Sequence, residues 1–190
     1  HTAEEMAAVL KACNEAEAAV IPRGAGTKMA LGNVPEDYRV CVSTTDLNEV
    51  LEYTPADMTA SVQAGIRLAK LQEVLAAENQ FLPLDPPNRE TATIGGILAT
   101  NSSGPLRAAY GTARDQLIGI RVAHPEGIVT KAGGKVVKNV TGYDLDKLYT
   151  GSLGTLGVIV EANFKLQPLP AVQKSVLAVM SATAAGRAID

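Results

Sequence analysis

Residues 83–119 carry so many prolines, glycines and short polar residues that a long continuous helix or strand is excluded there. The segment contains "PLDPPN", "TIGG", "NSSG" and "YGTARD" in close succession. Proline and glycine interrupt regular elements, and glycine also lets the main chain turn sharply or approach another molecule closely. The segment therefore predicts a set of ordered loops around a ligand rather than a core element.

A second glycine-rich stretch, "PRGAGTK" at 22–28, follows a short apolar strand predicted at 19–21. Successive backbone N–H groups in such a loop can surround a phosphate. A GxGxxG dinucleotide loop is excluded because Met29 stands where the third glycine is required, and no segment supplies GxxxxGK[ST]. An ordinary strand-to-helix turn and a phosphate loop of another type both remain open. Further glycines at predicted strand ends favour the phosphate loop: Gly95, Gly96, Gly104, Gly111, Gly151, Gly154 and Gly157.

The first 80 residues alternate predicted helices with predicted strands, which indicates an α/β or α+β layer. Thr2 and Glu5 form a capping box before the first helix, and Asp46 is the predicted N-cap of another. The patterns predict helices at 2–13, 46–53 and 67–79, and strands at 19–21, 38–43 and 59–65. Farther along they predict a hairpin at 116–131 with its turn at 124–127, a glycine turn and long strand within 151–170, and a strand at 172–180.

The composition is that of a globular protein with room for a sizeable core: 190 residues, 46% hydrophobic and 19% charged. A net charge of -3 and the lack of tryptophan argue against a nucleic-acid partner. No apolar run reaches the length of a membrane span, so direct membrane insertion is not expected. Since the first residue is His1, we expect a trimmed sequence from which a signal or anchor could have been removed, so this end leaves the location open. The expected location is cytoplasmic or peripherally membrane-associated through partners.

The chain has two cysteines, Cys13 and Cys41, without the spacing of a zinc site or a disulfide framework. No metal site is therefore expected. Both cysteines are predicted to be buried as small apolar residues.

Six motifs occur in one order along the chain: "PRGAGTK" at 22–28, "PLDPP" at 83–87, "TIGGILATNSSG" at 93–104, "YGTARDQLIG" at 110–119, "KNVTGYDLDKL" at 138–148 and "GSLGTLGVI" at 151–159. Together they resemble the FAD-binding domain of the vanillyl-alcohol oxidase family, also called the PCMH-type or FAD-linked oxidase domain. Within that family, the likeness is strongest to the FAD-binding subunits of bacterial glycolate oxidases.

The resemblance implies an α+β fold in which a PCMH-type FAD-binding domain of two α/β subdomains spans 1–170. The start of a truncated cap domain would follow over 171–190. The pyrophosphate of FAD would lie on the N–H groups of residues 23–28, the "NSSG" residues would line the ribityl and ring side, and the main chain at 158–159 would face adenine or its phosphate. The residues implied to bind the cofactor are Arg23, Gly24, Ala25, Gly26, Thr27, Lys28, Pro83, Leu84, Asp85, Pro86, Thr93, Gly95, Gly96, Asn101, Ser102, Ser103, Gly104, Gly111, Arg114, Gly154, Gly157, Val158 and Ile159.

Some members of the family attach the flavin covalently to a histidine at the position that Thr27 holds here, so the resemblance implies non-covalent FAD. No catalytic base is identified, because His1 is terminal and His124 lies in a predicted exposed turn. Asp144 is predicted to cap the helix that follows it. Arg114 is left open between an ordinary charged turn and a position near the flavin.

By resemblance, the whole protein would oxidise a 2-hydroxy acid, glycolate before others, and would pass electrons to related flavoprotein and iron–sulfur subunits. D-lactate remains an alternative substrate. A non-catalytic subunit that binds FAD for assembly or electron relay is a second hypothesis, and an NADPH-dependent flavin reductase of the same fold is a third.

Overall fold

The computed structural model describes residues 2–134 and 144–174. Its helices are α1 Ala3–Glu15, α2 Leu68–Ala76, α3 Ile94–Thr100, α4 Arg107–Tyr110, α5 Ala113–Gln116 and α6 Leu145–Tyr149, with a 3₁₀ turn at Pro55–Asp57. Its strands are β1 Val20–Arg23, β2 Val40–Ser43, β3 Val50–Thr54, β4 Thr59–Gln63, β5 Gln80–Phe81, β6 Leu117–Ala123, β7 Val129–Gly133, β8 Val158–Lys165 and β9 Gln167–Pro168.

The first subdomain consists of α1 and a two-stranded parallel sheet formed by β1 and β2. The predicted capping box is confirmed, since the Thr2 hydroxyl accepts from the Glu5 amide and the Glu5 carboxylate accepts from the Thr2 amide. The buried face of α1 packs with β2 and with the ends of β6 and β8 in one apolar cluster. This cluster fixes β1, and with it the start of the glycine loop, against the larger sheet.

The second subdomain is built on a five-stranded sheet in the order β3-β4-β8-β6-β7, in which every neighbouring pair is antiparallel. Helices α2 and α3 pack on this sheet, and Leu71, Ile94 and Phe164 lie in their shared core without solvent contact. The predicted hairpin at 116–131 is confirmed as β6 and β7. The fold is α+β with two subdomains, as predicted.

The helix predicted over 46–53 is wrong. Asp46 lies in a turn, and Val50–Thr54 is a strand that pairs with β4 in the register Val50↔Val62, with a bulge after Val50. Leu47, Val50 and Leu51 have the spacing of an amphipathic helix, but Leu47 is buried while Leu51 is exposed. Pairing with β4 therefore decided the structure against the local pattern.

The strand predicted at 172–180 falls mainly outside the described residues, and so does most of the motif at 138–148. The boundary between a FAD-binding domain at 1–170 and a cap domain at 171–190 thus stays a prediction.

Candidate functional site

Three segments that are far apart in the sequence line one cleft of about 670 Å³: the glycine loop after β1, helix α3 with its N-cap, and a turn before β8. A pocket of about 70 Å³ shares several lining residues with it and extends to the start of β8. The predicted residues that line the cleft are Gly24, Ala25, Gly26, Thr27, Lys28, Thr93, Gly96 and Gly154. Those that line the smaller pocket include Arg23, Gly95, Gly157, Val158 and Ile159.

The backbone amides of residues 24–28 are available as donors to a ligand. Within 2–134 and 144–174, none of these amides donates a hydrogen bond to another part of the chain. The residues themselves are half-buried, so their N–H groups require water or a ligand as partner. Gly26 has φ +77, a conformation that glycine adopts without strain. Lys28 lines the same cleft, and its positive charge together with these donors suits a doubly charged phosphate group.

Thr93 holds the loop and the start of α3 together at the cleft. It is the N-cap of α3, and its hydroxyl accepts from the Gly96 amide at 3.4 Å. A Cβ on Gly24 would lie only 2.1 Å from that hydroxyl oxygen, so the loop approaches α3 more closely than any side chain allows. Gly95 in turn donates to the Ala64 carbonyl at 2.7 Å and packs α3 on the end of β4.

The turn before β8 forms the wall next to the glycine loop. Gly154 has φ +79, and a Cβ there would lie 3.1 Å from Cγ of Pro22. Gly157 is buried, and a Cβ on it would be 2.6 Å from a valine side chain of β6. Val158 and Ile159 then begin β8 with buried side chains, and both residues line the smaller pocket.

Ten of the predicted residues do not line this cleft: Pro83, Leu84, Asp85, Pro86, Asn101, Ser102, Ser103, Gly104, Gly111 and Arg114. Four of them, Asp85, Asn101, Ser102 and Gly104, order the loop after α3. The Asp85 carboxylate accepts from the amides of Gly104 and Leu106, both at 3.0 Å. Asn101 ends α3 in the left-handed region with φ 46, and the Ser102 amide donates to the Ile97 carbonyl.

Gly111 and Arg114 belong to the short connection before β6. Gly111 has φ +83 and lies against Asp115, whose carboxylate accepts from the amide and the hydroxyl of Thr112. These hydrogen bonds hold the pKa of Asp115 below its ordinary value, and the bond from the Thr112 backbone amide has the largest effect. The Arg114 side chain is exposed, and its carbonyl accepts from Lys147. Arg114 thus lies on the exposed side of the short helix α5, and its role near the flavin stays a prediction.

The turn predicted at 124–127 is confirmed, since the Gly127 amide donates to the His124 carbonyl at 3.0 Å. The prediction that His124 is exposed in this turn is wrong. The ring is half-buried, its Nε2 lies 2.8 Å from the Thr130 hydroxyl, and it meets the Tyr149 ring edge-on at a centroid distance of 5.9 Å. These contacts give His124 a structural role beneath the turn that leads into β8.

The predicted burial of both cysteines is also wrong: Cys13 is half-buried and Cys41 is exposed. On β2 the alternate residue Val42 faces the core, which turns Cys41 outward. Asp144 occupies the N-cap position of α6, but its side chain makes no capping hydrogen bond. Across the described ranges, no group of three or more candidate metal ligands occurs and no helix is long and apolar enough to span a membrane.

The sequence did not point to several residues of the cleft, among them Pro22, Ala99 and Leu153. All three lie inside the six motifs, but an apolar side chain in a glycine-rich segment carries no sign of ligand contact. Ala99 is on α3, and only the packing of the helix shows that it faces the cleft.

Comparison with known proteins gives the chain a family. Residues 1–133 match the family described as FAD binding domain. The chain is 36% identical over 176 residues to glycolate oxidase subunit GlcD of Bacillus subtilis, covering 93% of this chain and 37% of that protein. It is 39% identical over 176 residues to the mitochondrial D-lactate dehydrogenase [cytochrome] of Arabidopsis thaliana, covering 93% and 30%.

A solved structure of alkyldihydroxyacetonephosphate synthase superposes with a TM-score of 0.77 at 31% identity, covering 90% of this chain and 31% of that one. The chain thus spans about a third of the length of the proteins it matches. The donor-rich loop and the close contact of Gly24 with Thr93 fit the pyrophosphate of FAD, in keeping with the matched family. The chain belongs to the PCMH-type FAD binding domain family.

Proposed function

We propose that the cleft between the glycine loop, α3 and the turn before β8 binds FAD without a covalent bond. The observation that carries this proposal is the row of amides at 24–28, which have no acceptor within the described chain and line a cleft of about 670 Å³. They would bind the pyrophosphate, with Lys28 supplying positive charge. The main chain at 157–159 would bind the neighbouring part of the nucleotide. Thr27 has no imidazole that could bond to the flavin.

The loop after α3 would complete the site on the ring side. Asp85 orders this loop through two amides, so residues 101–104 would be held in place even though they do not line the cleft itself. In this proposal, Asp85 and Gly104 position the loop and do not contact the cofactor.

We infer that the whole protein is a flavin-dependent oxidoreductase that acts on a 2-hydroxy acid, with glycolate as the first candidate and D-lactate as the second. The names of the two matched relatives support this class. Bound FAD would supply the electron-accepting group for oxidation of the hydroxyl-bearing carbon. This chain would bind and orient FAD. Neither the cation that binds the substrate carboxylate nor the base that takes the hydroxyl proton is assigned to this chain. The fold by itself does not fix the substrate.

Further subunits are proposed as partners, since one matched relative is named as a subunit of glycolate oxidase. From the resemblance of the motifs, we propose that these are related flavoprotein and iron–sulfur subunits. A subunit that binds FAD without oxidising substrate is the competing proposal. Anaerobic addition of glycolate or D-lactate to the full-length FAD-loaded protein, without partners, separates the two. Bleaching of the flavin absorbance by either acid supports the oxidoreductase, while bleaching only after the partner subunits are added supports the relay subunit.

Titration with FAD tests the cofactor site itself. We expect the flavin spectrum to shift on binding and its fluorescence to change, with saturation at one FAD per chain. Gly26→Trp, which fills the glycine loop at a residue with positive φ, should abolish binding. A folded wild-type chain that leaves the flavin spectrum unchanged at high FAD concentration would contradict the proposed site.

A further inference from the structure

The turn at 152–155 has an unfavourable residue at its first central position. The Thr155 amide donates to the Ser152 carbonyl at 3.0 Å, and the two residues between them have positive φ, 56 for Leu153 and 79 for Gly154. Positive φ at both central positions is the pattern of a type I′ turn, which favours asparagine, aspartate or glycine. A branched aliphatic side chain is strained in that conformation. The turn alone therefore does not explain a leucine.

Leu153 lines both the cleft and the smaller pocket. It is 47% exposed, so about half of an apolar surface is open for a ligand to cover. The backbone cannot easily relax, because the Leu153 amide donates to the Ala99 carbonyl at 2.7 Å and the Gly151 amide donates to the Leu98 carbonyl at 2.9 Å. The end of α3 thus holds the strained residue at the cleft.

We propose that Leu153 is a cofactor-binding residue whose left-handed backbone presents its side chain as an apolar wall against bound FAD. Local strain persists where the surrounding structure enforces it, and it is concentrated at functional sites. The neighbouring Gly154 and Gly157 act through close backbone approach, whereas Leu153 acts through its side chain. This inference rests on the proposed FAD site and adds to it one specific contact.

The test compares two substitutions that change the turn and the wall differently. Leu153→Asn supplies a residue suited to positive φ and removes the apolar wall, while Leu153→Ala removes the wall and keeps the strain. Leu156→Asn is the matched control, since Leu156 lies in the same segment, is 45% exposed and does not line the cleft. FAD affinity is measured by fluorescence titration, and melting temperature is measured without FAD.

We expect both Leu153 variants to bind FAD about five- to tenfold more weakly, the effect of losing about half of a leucine's burial. Without FAD, Leu153→Asn should melt about 2–4 °C higher than Leu153→Ala, because asparagine tolerates positive φ. Leu156→Asn should leave FAD affinity unchanged. If Leu153→Asn melts higher than Leu153→Ala but binds FAD just as weakly, the weaker binding comes from the lost ligand contact and not from general damage to the loop.

Two results would overturn the inference: wild-type FAD affinity in both Leu153 variants, or equal weakening in Leu156→Asn. If the wild-type chain binds FAD and Gly26→Trp does not, either result leaves the proposed site standing and removes only the role of Leu153. If the wild-type chain binds no FAD, the proposed site fails first and the role of Leu153 fails with it.

Discussion

Replacement of Gly24 by alanine should damage both the fold and the cofactor site, because the added methyl group has no space. Its Cβ would lie 2.1 Å from the Thr93 hydroxyl oxygen and 3.3 Å from the Thr93 Cβ. Contacts under 3.0 Å essentially never occur for real Cβ atoms, so the loop or Thr93 must move by about 0.9 Å, the difference between 3.0 and 2.1. Thr93 is 2% exposed and caps α3, which leaves its hydroxyl little freedom to rotate.

The magnitude follows from three effects. Overpacking costs about 1–3 kcal/mol and loss of an N-cap about 1 kcal/mol, while alanine lowers the entropy of the unfolded chain and returns about 0.5 kcal/mol. Gly24→Ala should therefore lower the free energy of unfolding by about 2 kcal/mol, and Thr93→Ala by about 1 kcal/mol. In the double variant the hydroxyl is gone, so the sum should be about 1.5 kcal/mol rather than about 3 kcal/mol.

Urea unfolding followed by circular dichroism measures this cycle, and FAD titration measures the site. We expect Gly24→Ala to weaken FAD binding at least tenfold and the double variant to recover part of the loss. Gly134→Ala is the control, since a Cβ there meets nothing within 4 Å and φ is not positive, so stability should change by less than about 0.5 kcal/mol. Strictly additive effects in the cycle, or wild-type FAD affinity in Gly24→Ala, would refute the steric argument.

Three further predictions concern the loop, the pH dependence and the cofactor bond. Asp85→Asn should lower the free energy of unfolding by about 1–2 kcal/mol, because asparagine replaces one of the two acceptor oxygens with an N–H₂ donor and leaves one loop amide without its acceptor; an unchanged urea midpoint would count against that role. The hydrogen bond from Arg121 lowers the pKa of Glu4 in the folded chain. The stabilisation of the fold by this ion pair is therefore present above the ordinary carboxyl pKa and is lost as pH falls through the lowered pKa of Glu4. Arg121→Gln should therefore show a shallower fall in melting temperature between about pH 5 and pH 3 than the wild type, and parallel curves would contradict this. Acid precipitation of the FAD-loaded chain should leave all flavin in the supernatant, whereas flavin in the pellet would exclude the non-covalent site at Thr27.

Much of the fold could be predicted from local sequence. The capping box of Thr2 and Glu5, the hairpin with its turn at 124–127 and the helix that became α2 depend on interactions within a few residues. Where the outcome depended on a distant partner, prediction failed: residues 46–53 have helical spacing, but β3 forms because β4 supplies its hydrogen bonds. The burial of Cys13 and Cys41 failed for the same reason, since the face of an element that meets the core is set by packing.

The sequence by itself determined the family, through ordered glycine motifs whose backbone requirements few residues other than glycine satisfy. Only the tertiary structure decided which of those motifs meet. The glycine loop at 24–28, the start of α3 at Thr93, Gly95 and Gly96, and the segment with Gly154, Gly157, Val158 and Ile159 line one cleft and its pocket. Asp85 and Gly104 instead bind each other and order a separate loop. The tertiary structure also placed Leu153 on the wall of the cleft. A glycine motif records what the backbone must do at one point, but the contacts across the cleft depend on sheet order and helix packing over more than a hundred residues.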